Sequence, residues 1–249
     1  MPSRPVAFIT GASQGIGAGI AAALASDGYD LVVTSTRPEK LRPVSEVATR
    51  AGAKAVAIAL DLRSQLGIEQ AVAEAVDAFG HIDLLVNNAA IPLRKPALEV
   101  TAAEWESVID TNLTGTFFMS QQMGRQLVKT GRPGCIISIA STHGLVGLEG
   151  RSVYGIAKAG VMHMTRMLAI EWAAHGIRVN AVAPGRVDTP SRAPSLSEPG
   201  YGQGALARIP LNRFGSVDEV AGAVSYLASP RAAYITGQTL ILDGGLTAW

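Results

Sequence analysis

The stretch Thr10-Gly11-Ala12-Ser13-Gln14-Gly15-Ile16-Gly17 decides the fold. It follows a short apolar run, Val6-Ala7-Phe8-Ile9, and leads into an alanine-rich helical stretch from about 15 to 27. Strand, glycine-rich loop and helix in that order suit a pyrophosphate, because glycines let the backbone close on phosphate oxygens and the helix amino end supplies free N–H groups. The spacing is GxxxGxG, and the absence of a following GK[ST] excludes a Walker loop. On this reading Gly11, Ser13, Gln14, Gly15, Ile16 and Gly17 hold a dinucleotide. Taken alone, the segment also suits a purely structural tight turn.

The alternation continues outward from this loop. Apolar runs at Leu31-Val32-Val33, Ala55-Val56-Ala57-Ile58 and Leu84-Leu85-Val86 precede helical stretches near 38–51, 64–79 and 101–130. Further strands are read at Cys135-Ile136-Ile137-Ser138-Ile139, Arg178-Val179-Asn180-Ala181-Val182 and Thr239-Leu240-Ile241-Leu242. Strands alternating with helices of this length imply parallel βαβ units, and uniformly apolar strands imply a sheet covered on both faces. The expected fold is α/β: a single doubly wound Rossmann-type domain over 1–249, with a parallel seven-stranded sheet. A Pro-, Ser- and Gly-rich segment, 186–212, leaves the sixth strand at the carboxyl edge and reads as a substrate-binding lid.

Composition narrows the function classes. The 249 residues are 48% hydrophobic and 16% charged, with 21 Lys and Arg against 20 Asp and Glu, so nothing in the balance attracts nucleic acid or an anionic membrane. Cys135 is the one cysteine, which excludes an intrachain disulfide and a CxxC zinc or redox site and fits a reducing cytoplasm. No metal is expected. The apolar amino-terminal region, ending in Ala21-Ala22-Ala23-Leu24-Ala25-Ser26, is broken by Thr10, Ser13, Gln14 and glycines and is read as neither signal peptide nor membrane span.

Helices near 113–130 and 151–174 carry Met119, Met123, Met162, Met164 and Met167, and the second adds Ile156, Val161, Leu168, Ile170 and Trp172 around its circumference. A helix apolar on more than one face is buried on more than one side. This pair is expected to form a homo-oligomer interface, a tetramer in the fullest reading; a core helix under a loop is the alternative.

The second strand ends in Thr34-Ser35-Thr36-Arg37. An acid there would accept from a ribose 2′-hydroxyl and repel a 2′-phosphate, whereas Ser35, Thr36 and Arg37 can bind phosphate oxygens, which favours NADP(H) over NAD(H). Gln14 argues the other way, since a basic residue there would add a second phosphate contact.

Tyr154-Gly155-Ile156-Ala157-Lys158 puts a phenol and an ammonium at i and i+4 on one helical face. Forming a phenolate at neutral pH from a phenol of pKa about 10 costs about 4 kcal/mol, and a neighbouring cation lowers that cost. Tyr154 could then exchange a proton with an alcohol or carbonyl oxygen while hydride moves to or from a cofactor. Ser141, just past the fifth strand, could polarise a carbonyl; Asn112 sits between helical stretches, and Asn87-Asn88-Ala89-Ala90 ends the fourth strand. A methyltransferase also has a glycine loop after its first strand but has no need of Ser141, Tyr154 and Lys158 together. A serine hydrolase lacks its GxSxG elbow here. A non-catalytic NADPH sensor remains as an alternative outside the enzymes.

Together, TGxxxGIG, NNA, the isolated Asn112, Ser141 thirteen residues before YxxxK, and Asn180-Ala181-Val182-Ala183-Pro184-Gly185 resemble the short-chain dehydrogenase/reductase family along essentially the whole chain. The resemblance implies Tyr154 as acid and base, Lys158 on the nicotinamide ribose, Ser141 orienting the carbonyl and Asn112 holding a proton-relay water. It further implies Asp61 and Leu62 at the adenine, Asn87 and Ala89 at the adenosine ribose and strand wall, and Pro184, Gly185, Val187 and Thr189 around the nicotinamide. Ala90 departs from the usual glycine of NNAG and adds a methyl near the cofactor.

For the substrate, His143 reads as a pocket wall, and Arg94, Lys95 and Arg151 as either an anion attractor or solvated loop charges. Overall similarity is to 3-oxoacyl-acyl-carrier-protein reductases, whose carrier-docking basic residues match Arg132 and the weakly basic His175. The Arg94 segment also resembles gluconate 5-dehydrogenases, which would take a sugar acid.

Overall fold

The computed structural model describes residues 4–190, 204 and 206–248. The strands are β1 (Val6–Ile9), β2 (Asp30–Ser35), β3 (Ala55–Ala59), β4 (Leu84–Asn87), β5 (Gly134–Ile139), β6 (Ile177–Pro184) and β7 (Thr239–Leu242). All pair in parallel in the order β3-β2-β1-β4-β5-β6-β7. The helices are α1 (Gly15–Ser26), α2 (Arg42–Arg50), α3 (Gln65–Phe79), α4 (Ala102–Ile109), α5 (Gly115–Thr130), α6 (Ser152–Trp172) and α7 (Val217–Ala228).

Successive residues of a strand point to opposite faces, and the two cores follow that alternation. Val6 and Phe8 of β1 join one core with Ile68 and Val72 of α3, Met119 and Met123 of α5, and Val161 and Leu168 of α6. Ala7 and Ile9 face the other way, onto Ile20 and Leu24 of α1, Val44 of α2, and Val220 and Val224 of α7. The expected doubly wound architecture is therefore present. β1 pairs with β2 on one side and β4 on the other, so the order reverses between β1 and β4 and opens a crevice at their carboxyl ends.

Two local differences from the sequence reading have physical causes. The stretch near 38–51 is a 3₁₀ turn, Pro38–Leu41, followed by α2 starting at Arg42; prolines near both starts fix φ for an opening turn. The junction of helical stretches expected at Asn112 is present as a π turn, Asp110–Thr114, between α4 and α5. Helix α7 lies where no element was read, although Ser216 and Glu219 form a reciprocal capping box at its start that the sequence carries openly.

Of the methionines assigned to an oligomer face, Met119, Met123, Met162 and Met164 are buried in their own chain's core and Met167 is half exposed. The outward apolar residues of the helix pair are instead Phe117, Val128, Ile156, Met167 and Ile170, the last 78% exposed. The proposed lid falls largely on 191–203 and 205, outside the described residues. Among the described residues no helix is long and apolar enough to cross a membrane.

Candidate active site

A cavity of about 700 Å³ occupies the crevice at the carboxyl ends of the strands. Gly11, Ser13, Gln14, Gly15, Ile16 and Gly17 line it, with Ser35, Thr36 and Arg37 beyond β2, Asp61 and Leu62 beyond β3, Ala89 beyond β4, Ser141 beyond β5, and Pro184, Gly185, Val187 and Thr189 at and beyond β6. Tyr154 and Lys158 reach it from α6. Residues far apart in sequence thus meet because parallel strands deliver all their carboxyl ends to one edge.

The glycine loop is built against the loop after β4. Gly11 has φ +66°, and a Cβ there would lie 2.7 Å from Ala89 Cα. A Cβ on Gly17 would collide with the Gly11 carbonyl and the Asn88 amide. Thr10 Oγ1 accepts from the N–H groups of Asn88 and Ala89 at 3.0 and 3.1 Å, while Asn88 Nδ2 donates to the Thr10 and Gly11 carbonyls at 3.0 and 2.9 Å. Two of the three glycines expected to yield space to phosphate are therefore required first by packing within the protein. The amino end of α1 has neither a side-chain cap nor an acid in its first turn, so its leading N–H groups face the cavity side uncompensated. Both features fit a bound pyrophosphate.

At the reactive end, Lys158 is 3% exposed, its Nζ donates to the Ile139 carbonyl at 2.6 Å and lies 5.8 Å from the Tyr154 ring centroid. Burial pushes its ammonium down to about 8. Ser141 Oγ accepts from the His143 N–H at 3.2 Å, which fixes one lone pair and leaves the hydroxyl proton to donate.

Six sequence-assigned residues are not in the cavity wall. Asn87 points into the core, its Nδ2 donating to Ser120 and Ser138 Oγ at 2.9 and 3.3 Å; Asn88 lines the cavity instead. The single-residue shift reflects the alternation of β4. Asn112 is fully buried in the π turn, and its amide exchanges both hydrogen bonds with the Ile91 backbone at 2.8 and 2.9 Å. It positions Ile91, which does line the cavity. The His143 ring packs edge-on to Tyr154, 6.1 Å between centroids, behind the wall. Arg151 donates to the Leu93 carbonyl at 3.2 Å, and Arg94 lies on the same exposed loop outside the wall. Lys95 is held by Glu104, with both N–O distances 2.9 Å.

Arg132 is bound to Asp83 at 2.8 Å; it and His175 precede β5 and β6, at the opposite edge of the sheet from the cavity. Ala90 lines the cavity with its methyl exposed, so the departure from glycine costs no packing within the chain. The sequence reading missed Lys40, Arg63 and Asn88 as wall residues, while Ile91, expected in the pocket, does line it. Lys40 comes three positions after the assigned Arg37 and Arg63 directly follows the assigned Leu62; only the tertiary turn shows that they return to the site.

A family model described as enoyl-(acyl carrier protein) reductase matches residues 11–247. The chain is 40% identical over 242 residues to the 3-oxoacyl-[acyl-carrier-protein] reductase FabG of Aquifex aeolicus, covering 97% of this chain and 96% of that protein. Among solved structures, a short-chain type dehydrogenase/reductase from Mycobacterium marinum superposes with a TM-score of 0.95 at 34% identity, covering 99% of this chain and 97% of that one. A putative 2-deoxy-D-gluconate 3-dehydrogenase from Agrobacterium tumefaciens with bound NADP has a TM-score of 0.92 at 34% identity, covering 100% and 98%. With a parallel sheet of this order, a glycine loop at its switch point and a tyrosine, lysine and serine on the same cavity, the chain belongs to the short-chain dehydrogenase/reductase family of oxidoreductases.

Proposed function

We propose that the chain interconverts a carbonyl and a secondary alcohol using NADP(H), with Tyr154 exchanging the proton at the reacting oxygen. One cavity that holds both the glycine loop and the set Ser141, Tyr154 and Lys158 carries this reading. The glycine loop would hold the pyrophosphate, Asp61 and Leu62 the adenine end, and Pro184, Gly185, Val187 and Thr189 the nicotinamide end. A bound nicotinamide dinucleotide supplies the hydride in one direction and accepts it in the other.

Ser141 donates a hydrogen bond to the carbonyl oxygen, its acceptor side already engaged by the His143 N–H. Tyr154 gives its proton to the same oxygen as negative charge develops there. The Lys158 cation favours the phenolate left behind, and its bond to the Ile139 carbonyl fixes the ammonium beneath the ring. Asn112 acts as a positioning residue through Ile91.

NADP(H) is preferred because Ser35, Thr36 and Arg37 line the cavity where a 2′-phosphate-repelling acid would otherwise stand. The relative from Aquifex aeolicus supports a 3-oxoacyl thioester as substrate, and the Agrobacterium tumefaciens structure supports a sugar acid. Arg132, engaged by Asp83, weakens the case for carrier-protein docking. A panel with an acetoacetyl thioester and a keto-gluconate arm, followed as NADPH or NADH absorbance, separates the classes: turnover is expected with NADPH above NADH. Equal kcat/KM for the two cofactors would remove the NADP(H) assignment.

A homotetramer assembled through α5 and α6 fits the exposed Phe117, Val128, Ile156, Met167 and Ile170 on that pair. Sedimentation velocity is expected to show an oligomer, with Ile170→Glu shifting it to smaller species; a monomeric wild type would end this proposal. Cys135 is buried and its thiol is pushed up to about 11, in keeping with a structural cysteine in a reducing cytoplasm.

A further inference from the structure

Tyr154 is the third residue of α6, in the turn whose N–H groups have no partner within the helix. The start of α6 has neither a side-chain cap nor an acid in its first turn, whereas α4 and α7 each open on a reciprocal capping box. Helix ends open locally before the rest of a helix does. The proton donor therefore depends on something outside its own helix for its place.

That support is the loop after β4. Arg151, at the N-cap position of α6, donates from its guanidinium to the Leu93 carbonyl at 3.2 Å, and the Gly150 carbonyl accepts from the Lys95 N–H at 2.9 Å. The two segments lie flush: Gly150 has φ +69°, and a Cβ there would meet Arg94 Cγ at 3.5 Å and Lys95 N at 3.6 Å. Beneath them Val153, 3% exposed, packs in one apolar cluster with Ile91 and Leu93.

The loop is itself held at both ends. Ile91 is fixed by Asn112 in the π turn, and Lys95 Nζ by the Glu104 carboxylate, which also accepts from the Thr101 N–H at 2.8 Å at the start of α4. The Thr101 and Lys95 bonds hold the Glu104 carboxyl down to about 2, so it is ionised across the neutral range. Lys95, Glu104 and Arg151 stand outside the cavity wall, yet the two residues they tie together, Ile91 and Tyr154, both line it.

We infer that Arg151 is a positioning residue: with Lys95 it fastens the first turn of α6 to the loop after β4, and so sets Tyr154 against the wall that Ile91 provides. The inference rests on the role of Tyr154 proposed above. Proton transfer needs the phenol within hydrogen-bond reach of the reacting oxygen, and a small misplacement there costs rate rather than ground-state binding.

Two measurements on the full chain test it, one of them independent of turnover. Hydrogen exchange in peptides spanning 91–100 and 150–156 should quicken about fivefold in Arg151→Met, with α1 unchanged. With whichever carbonyl the wild type reduces, kcat should fall about tenfold in that variant, while NADPH Kd and substrate KM stay within about twofold. Arg151→Lys keeps a charged donor and should recover most of the rate, and Lys95→Met should lower kcat in the same direction. An unchanged kcat in Arg151→Met, whether or not exchange quickens, would overturn the positioning role. A defect confined to a raised KM for anionic carbonyls would make Arg151 a substrate contact and overturn it as well. A wild type that reduces no carbonyl would overturn the Tyr154 reading beneath the inference, and the exchange measurement tells that failure apart from failure of the tie.

Discussion

Replacing Tyr154 by Phe is expected to lower kcat by about 10³-fold while leaving NADPH affinity within about threefold, because general acid–base groups contribute about 10² to 10⁴ and the phenol contributes little else. The ring itself survives the change, so its edge contact with His143 and its place over Lys158 Nζ are retained. The exchangeable proton is lost. NADPH fluorescence gives the binding term independently of turnover, and that separation distinguishes an enzyme from a dinucleotide sensor. Unchanged turnover in this variant would place the proton transfer elsewhere.

Replacing Lys158 by Met is expected to act in two opposite directions. Activity should fall by about 10²-fold, since the cation that favours the phenolate is gone. The cofactor-free chain should become more stable at neutral pH. Burial lowers the Lys158 ammonium from 10.5 to about 8, a penalty on the order of 3 kcal/mol when the group is charged in the folded state. Offsetting this is the Nζ bond to the Ile139 carbonyl, about 2 kcal/mol for a charged donor. A net gain of about 1 kcal/mol would raise Tm by roughly 2–4 °C in a chain of this size.

The pH dependence carries a definite sign. Below about pH 8 both folded and unfolded wild-type chains hold the proton, and the burial penalty is present in full. Between about 8 and 10.5 the unfolded chain binds more protons than the folded one, so wild-type stability rises relative to Lys158→Met. The advantage of the variant should therefore be largest near pH 7 and narrow as pH is raised through this window. Taking the difference between the two proteins at each pH cancels groups common to both, such as Cys135 and Tyr29, whose burial raises them. An advantage that widened with pH would show that Lys158 is not held as a buried cation.

Much of the site was legible because its parts are local. The glycine loop, the hydroxyls after β2 and the Tyr154–Lys158 pair each occupy one short segment, and the parallel topology alone brings them to one edge. Asn87 and Asn88 could not be told apart in this way, since a strand's last residue and its successor differ by which face they meet. Asn112 announced itself as a polar side chain on an apolar helix, but its partner, the Ile91 backbone, belongs to another loop. Lys40 was overlooked because a 3₁₀ turn folds back where a continuous helix would carry it away. The methionines misled for a different reason: apolarity around a helix does not say which side meets its own sheet.

In the proposed reaction this cavity moves hydride to a carbonyl, with Tyr154 supplying the proton. Absorbance at 340 nm of NADPH with wild-type protein, carried through the thioester and keto-sugar-acid panel beside Tyr154→Phe, tests it most directly. The prediction is enzyme-dependent loss of absorbance with at least one carbonyl and its near abolition in the variant. A wild type that binds NADPH, as shown by its fluorescence, yet leaves the absorbance unchanged with every carbonyl and forms none from the corresponding alcohols and NADP⁺ would contradict it.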